Sequence, residues 1–320
     1  MKNKDYVVVF GGCSLDLTYK QQKDGNYPAD PTAIAPGGKG ANQAVAASRA
    51  GLNVKMITRL GGLSDEASIT NTIIANLQNN GVDTSCVDVA ENVHNDVCKI
   101  YVSKSGENEI VRQTGAIDSF TPDMIYKNAD VIKNAKFVIA QMKCPKDVSI
   151  ELINFCSANN VPIVITPCRP DKLIQSDPLN VELIEKATLI TANEEECKRM
   201  FGNMPIEECV KKYPNKLIVT LGEKGAMFHN GKKLVKYDAY EVENVVDTTG
   251  AGDTLNGNLI AALLSGKDME SALYRSMGAS TIKIQSSTAQ HGMPTKEQLD
   301  KYLSEYLAKK AENEGSQPGE

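Results

Sequence analysis

The feature that most limits the fold is a repeated exchange between two hydrophobic periodicities. YVVVFGG (6–12) is a continuous β-branched run closed by two glycines. KFVIAQM (136–142), VPIVITP (161–167), ATLITAN (187–193) and KLIVTLG (216–222) share its character. Runs this apolar, without alternation, suit strands buried on both faces. Between them the spacing turns helical, in ANQAVAASRAGL (41–52), SITNTIIANLQNNG (68–81), DVSIELINFCSANN (147–160) and EEECKRMFG (194–202). Gly51 and Gly81 stand where two of these helices need C-caps. Strand and helix in alternation predict an α/β fold: a doubly wound, mainly parallel sheet with helices on both faces. From Thr254 to Ala308 the chain reads as mostly helical. Its 320 residues suffice for one large domain with a small appendage, or for two modest domains. No internal repeat and no dividing linker is visible.

Two stretches break the rhythm. LDLTYKQQKDGNYPADPTAIAP (15–36) is polar, with three prolines, and VCKIYVSKSGENEIVRQT (97–114) alternates apolar and polar residues around a hairpin signal at Ser105-Gly106. Both fit strands with one solvated face, forming a small sheet apart from the main one, as a lid or an oligomer contact. The expected organisation is a core of residues 1–14, 37–92 and 116–310, a β lid of 15–36 and 93–115, and a disordered polar tail at 311–320.

A net charge of −5 argues against nucleic acid or a membrane surface as partner. Eight cysteines (Cys13, Cys86, Cys98, Cys144, Cys156, Cys168, Cys197, Cys209) show no Cys-x-x-Cys spacing, and there are three histidines, so a structural zinc is not expected. No secretory signal core or membrane-length apolar run is seen. The expectation is a cytoplasmic protein whose reduced thiols are mostly small core residues.

The chemistry concentrates in short glycine-rich stretches. In VVDTTGAGDTLNG (245–257), Gly250, Ala251 and Gly252 precede Asp253 and an apolar helical run. Small residues at a helix start let backbone N–H groups meet an anion, and the aspartate beside them can take a proton. That combination suits transfer of a negatively charged group. In PGGKGANQAVAASRAG (36–51), Gly37, Gly38 and Gly40 permit close approach of a ligand, toward which Lys39 and Asn42 project; a plain strand-to-helix turn is the alternative. The stretch has neither Walker A nor Gly-x-Gly-x-x-Gly spacing. Asp16 in CSLDL follows the first strand, where sheets of this kind place ligands; it is either a sugar-hydroxyl acceptor or a turn aspartate. Asn193 and Glu196 in TANEEECKRMFG share a helix face, either to hold the waters of Mg²⁺ or to form a capping box. Thr220 and Gly222 in VTLGEKGAMF meet phosphate or nucleotide, or make a simple turn.

Taken in order and spacing, PGGKGANQAVA, NEEE, TLGEKGA and DTTGAGDTLNG resemble the ribokinase-like carbohydrate kinase family, over Val7 to about Leu307. SGENEI (105–110) resembles that family's lid hairpin. The resemblance implies an ATP-dependent kinase acting on the primary hydroxyl of a pentose, D-ribose giving ribose 5-phosphate in the first place. Another sugar or a nucleoside is the alternative acceptor, and sugar or nucleotide binding with weak turnover the alternative activity. It implies Asp253 as base and Gly250, Ala251 and Gly252 as an anion hole. Ser14, Asp16, Gly38, Lys39, Asn42 and Lys143 would bind the sugar. Asn193, Thr220, Gly222, Gly225, Gly252 and Met277 would bind the nucleotide. Glu196 would order Mg²⁺ through water, and Asp247, Thr249 and Thr288 would hold an activating K⁺. The partners implied are ATP and a small sugar, with a homodimer formed through the lid.

Departures fall mostly on the sugar side. Ser14 stands where the family carries asparagine, and Lys143 where it carries a glutamate facing the sugar. Met277 replaces an asparagine near the adenine, and Ser286 and Thr288 replace a basic residue and a glycine of the cation loop.

Overall fold

The computed structural model describes residues 5–104, 108–168 and 178–315. In chain order the elements are β1 (Val7–Phe10), β2 (Ser14–Lys20), β3 (Ala33–Gly37), α1 (Lys39–Arg49), β4 (Val54–Gly61), α2 (Ala67–Asn79), β5 (Val82–Asp83), β6 (Val87–Ala90), β7 (Asp96–Val102) and β8 (Asn108–Gln113). Then come α3 (Asp123–Lys127), α4 (Ala129–Lys133), β9 (Val138–Gln141), α5 (Lys146–Ala158), β10 (Ile163–Thr166), α6 (Pro178–Lys186), β11 (Leu189–Asn193), α7 (Glu194–Phe201), α8 (Ile206–Lys212) and β12 (Leu217–Thr220). The chain continues through β13 (Ala226–His229), β14 (Leu234–Tyr237), α9 (Ala251–Leu264), α10 (Met269–Lys283) and α11 (Lys296–Gly315).

The large sheet runs β14-β13-β12-β11-β10-β9-β1-β4-β5, with β6 also paired to β4. From β12 to β5 every pairing is parallel; only β13 and β14 run antiparallel, at one edge. This is the doubly wound, mainly parallel sheet that the apolar runs predict. Its strands are buried on both faces because alternate residues feed two cores. Val8 and Phe10 of β1, with Val138 and Ala140 of β9, pack toward α3–α8. Val7 and Val9, with Phe137 and Ile139, pack toward α1, α2 and α9. β1 lies between β4 and β9, so the chain winds away from it in both directions. That reversal opens a crevice at the carboxyl ends of the strands.

The two irregular stretches meet in a second, four-stranded sheet ordered β3-β2-β7-β8. β2 and β7 pair in parallel from Ser14↔Asp96 to Lys20↔Val102, and β7 and β8 form an antiparallel pair. The hairpin signal at Ser105-Gly106 and the first half of SGENEI fall on residues 105–107, outside the described residues. The tail expected to lose structure from residue 311 does not do so there: α11 runs on to Gly315, through Ala311, Glu312 and Glu314, which favour helix. Residues 316–320 lie outside the described residues. All eight cysteines are free, and Cys13, Cys144, Cys156, Cys197 and Cys209 are buried. Among the described residues no helix is long and apolar enough to cross a membrane.

Two helices bring the cleft residues together. α1 and α9 pack so closely at Gly257 that a Cβ placed there would lie 2.5 Å from Ala47 N and 2.7 Å from Ala46 Cβ. Gly257→Ala is therefore expected to force the helices apart and to destabilise the fold by about 1–3 kcal/mol. Urea unfolding reads this directly; an unchanged midpoint would contradict the contact.

Candidate active site

One turn before this contact on each helix, the partners are polar. Asp253, four residues before Gly257, meets Asn42 and Gln43, four residues before Ala46 and Ala47. Asn42 Nδ2 donates to Asp253 Oδ2 at 3.0 Å, and Gln43 Nε2 to Oδ1 at 2.9 Å. Asp253 is buried, as are both amides. Each amide is held in turn. Gln290 Nε2 donates to Asn42 Oδ1 (3.0 Å), and Asn76 Nδ2 to Gln290 Oε1 (2.8 Å). On the other side Gln141 Nε2 donates to Gln43 Oε1 (2.7 Å). A carboxylate gripped by one donor on each oxygen keeps lone pairs free for a further hydrogen bond or a proton.

The turn before Asp253 is shaped for an anion. Gly250 caps α9 in the left-handed conformation, with φ of 82°. A side chain there would also strike the Ala289 carbonyl. At Gly252 a Cβ would meet nothing within 4 Å, so its backbone opens on free space. Of the three N–H groups expected in the anion hole, that of Ala251 is already committed to the Thr248 carbonyl (3.1 Å). Those of Gly250 and Gly252 have no partner among the described residues. At most two N–H groups of this turn are therefore open to a ligand, because Ala251 closes the turn.

These groups line a cleft of about 490 Å³ at the carboxyl ends of the parallel strands. Ser14, Asp16, Gly38, Lys39, Asn42, Lys143, Asn193, Glu196, Thr220, Thr249, Gly250, Gly252 and Asp253 all border it. The N-caps of α1, α7 and α9, namely Gly38, Asn193 and Gly250, are among them. Three helix starts thus point positive ends at one space. A wider groove of about 730 Å³ lies at the amino end of β1, beside Tyr6, Leu52 and Asn53. It has no glycine-rich turn aimed into it and lies at the end of the sheet where this fold does not bind ligands.

At the acceptor end, Asp16 Oδ1 accepts from Ser14 Oγ (3.3 Å). Burial raises the Asp16 pKa, opposed by hydrogen bonds from Cys98 and Ser14 and by the charges of Lys143 and Arg112. Lys143 lines the cleft, and Arg112 of β8 and Thr114 just after it line the same cleft. Asp96 anchors that sheet, accepting from Ile117 N (2.9 Å) and Gly115 N (3.2 Å).

At the opposite end, Asn193 and Glu196 take up the capping reading. They form a capping box: Glu196 N donates to Asn193 Oδ1 (2.7 Å), and Asn193 N to Glu196 Oε2 (3.0 Å). The remaining Glu196 oxygen, Oε1, faces Lys39 Nζ at 3.7 Å. Burial opposes the Lys39 charge, but Cys168, Asp253 and Glu196 hold its pKa above the usual lysine value. One cleft-facing carboxylate oxygen suits a Mg²⁺ that keeps most of its water and arrives on phosphates. Among the described residues no cluster of three acidic, histidine or cysteine ligands offers a cage. Thr220 borders the cleft, but Gly222 and Gly225 do not. Gly225 instead lies against the Tyr237 carbonyl in the β12–β13 turn. Met277 does not border the cleft; it is buried in α10 among Tyr240, Leu255 and Leu259, as apolar packing requires.

The residues expected to hold K⁺ do not fit one. Thr249 N donates to Asp247 Oδ1 (2.8 Å), which makes a local turn, and Thr288 is exposed. The Asp247 carbonyl is already taken by Lys283 Nζ at 2.8 Å. Burial lowers the Lys283 pKa, and the Asp247 and Asp253 carboxylates oppose that shift.

Sequence reasoning passes over Gln43, Gln141 and Gln290, which hold the Asp253 carboxylate in place, and Arg112, Cys98 and Cys168, which border the cleft. Gln43 and Gln290 stand inside conspicuous motifs, beside Asn42 and after Ala289; their adjacency to glycine turns is the available signal. Nothing local marks Arg112, because it enters from the small sheet.

Comparison with known proteins supplies the family. Residues 4–296 match the pfkB family of carbohydrate kinases, and the chain belongs to that family. It is an ATP-dependent phosphotransferase with an alcohol acceptor. Among its relatives is a ribokinase of Bacillus subtilis, 35% identical over 304 residues, covering 93% of this chain and 99% of the relative. A deoxyribokinase of Salmonella typhi is 29% identical, covering 93% and 98%. The fold is similar to that of Arabidopsis thaliana ribokinase complexed with ribose and ATP, with a TM-score of 0.81 at 24% identity, covering 93% and 98% of the two chains.

Gly252→Ala tests the anion turn. Its methyl meets no protein atom, so melting should stay near wild type while kcat falls about 10²-fold as the phosphoryl group is displaced. An active Gly252→Ala enzyme would place the anion elsewhere.

Proposed function

We propose that the protein transfers the γ-phosphoryl group of ATP to the primary hydroxyl of a pentose, D-ribose giving ribose 5-phosphate in the first place. The observation that carries this reading is the buried carboxylate of Asp253, gripped by Asn42 and Gln43 beside the open N–H of Gly252. Asp16, Ser14, Lys39 and Asn42 would hold the sugar hydroxyls and aim the primary one at Asp253. The sugar oxygen attacks the γ-phosphorus, the bond to the β,γ-bridging oxygen breaks, and the hydroxyl proton passes to Asp253. The N–H groups of Gly250 and Gly252 would meet the charge that builds on the transferred group. Mg²⁺ bound with ATP would neutralise the phosphates, with Glu196 and Asn193 holding its waters and Thr220 and Gly222 near the nucleotide.

The small sheet would cover the acceptor and exclude water during transfer. Its edges show exposed Ile34 on β3 and Val111 on β8, which supports a homodimer formed through these strands. Eight free thiols support a reducing, cytoplasmic setting. Ribokinase and deoxyribokinase relatives support a pentose. One observation favours a second acceptor class: Arg112 and Lys143 put two cations at the acceptor end, which suits a sugar bearing an acidic group.

The test is ADP release with Mg-ATP across ribose, deoxyribose, fructose, adenosine and a sugar acid. Ribose should drive turnover, and Asp253→Asn should lower kcat by about 10²–10⁴-fold. Fast turnover of the sugar acid alone would transfer the assignment to the second class, and an active Asp253→Asn would remove the base. Lys143→Glu sharpens the choice: it should lower KM for a neutral pentose and raise it for an acidic sugar.

A further inference from the structure

Lys283 is the last residue of α10, and its side chain is 0% exposed. Buried lysines ordinarily pair with an acid. Here no carboxylate oxygen lies within 4 Å among the described residues. The partner is main chain, the Asp247 carbonyl at 2.8 Å. The same loop is pinned beside it, because Val246 N and Asp247 N both donate to the carbonyl of Ile284, at 2.8 and 3.1 Å. The loop then leads through Thr248 and Thr249 to the Gly250 turn. Lys283 therefore sets a unit positive charge behind the turn whose N–H groups open on the cleft.

Family resemblance assigns a soluble monovalent cation to this loop, and the residues present do not accommodate one. An ammonium already sits on the Asp247 carbonyl at 2.8 Å, and a second positive charge beside it would be repelled. We propose that the Lys283 ammonium is a tethered monovalent cation that orders the Asp247–Gly250 loop, so that phosphoryl transfer needs no added K⁺. An ammonium head and K⁺ carry the same charge, and carbonyl oxygens satisfy both. Lys283 is a positioning residue, acting through Asp247. The inference rests on the kinase reading for its catalytic consequence, but not for the occupancy of the loop.

The test compares K⁺ with tetramethylammonium at constant ionic strength, on the full chain. For the wild type, turnover should differ by less than the roughly 5-fold that marks genuine coupling, and its melting temperature should be the same in both salts. Lys283→Ala removes the tethered charge and leaves space; it should lose activity in tetramethylammonium and regain it in K⁺, with a K⁺-specific rise in melting temperature. A lysine that only fills space would not give such rescue. Wild-type activation by K⁺ of about 5-fold or more, or a K⁺-specific rise in its melting temperature, overturns the proposal. So does a Lys283→Ala enzyme with undiminished activity and no K⁺ response. Should the variant fail to fold, the wild-type comparison decides alone. Should no acceptor be phosphorylated, the kinase reading fails, while the melting comparison still decides who occupies the loop.

Discussion

The site depends on how closely two helices approach. α1 and α9 touch backbone to side chain at Gly257, Ala46 and Ala47. Nothing larger than glycine fits on α9 at that point. One helical turn back, the same spacing brings Asp253 into hydrogen-bond range of Asn42 and Gln43. Helical periodicity thus converts a packing constraint into an aimed carboxylate. The outer amides, Gln141 from β9 and Gln290 from the loop after α10, fix the rotamers of the inner pair. The Asp253 carboxylate is positioned by four segments far apart in sequence, all tied to rigid elements.

Around that carboxylate the charges are arranged by distance. Three helix starts, the Lys39 ammonium and, behind the turn, the Lys283 ammonium make the cleft receptive to phosphate. Asp253, Asp16 and Glu196 are the acids within it. Glu196 lies against Lys39, Asp16 accepts from Ser14, and Asp253 is held by neutral amides. Lys143 and Arg112 bring positive charge to the acceptor end, the part of the cleft where the sequence departs most from the family pattern.

The sheet is legible in the sequence because parallel strands buried on both faces leave long unbroken apolar runs, and five of them can be read directly. β4 is harder to see: VKMITRLG carries Lys55 and Arg59 within an otherwise apolar strand, and both find acidic partners, Asp83 and Asp88, on neighbouring strands. Short helices such as α3, α4 and α8 leave too few turns for periodicity to register. Within the site, residues on glycine-rich turns announce themselves. Residues that act by supporting others do not, since Gln43 and Gln141 carry no chemistry of their own. The burial of Met277 is not legible from sequence because motif position says nothing about which way a helix faces. Lys283 escapes notice for a related reason: a lysine near a helix end reads as a solvated C-terminal charge until burial is known.

The most direct test of the account is a crystal structure of the protein with its acceptor sugar and a non-hydrolysable ATP analogue. The account predicts the acceptor's primary hydroxyl within about 2.6–3.2 Å of an Asp253 oxygen, with the γ-phosphate on the Gly252 N–H and the Asn42 and Gln43 contacts intact. A hydroxyl directed at another residue, or a γ-phosphate held away from the α9 start, would contradict it.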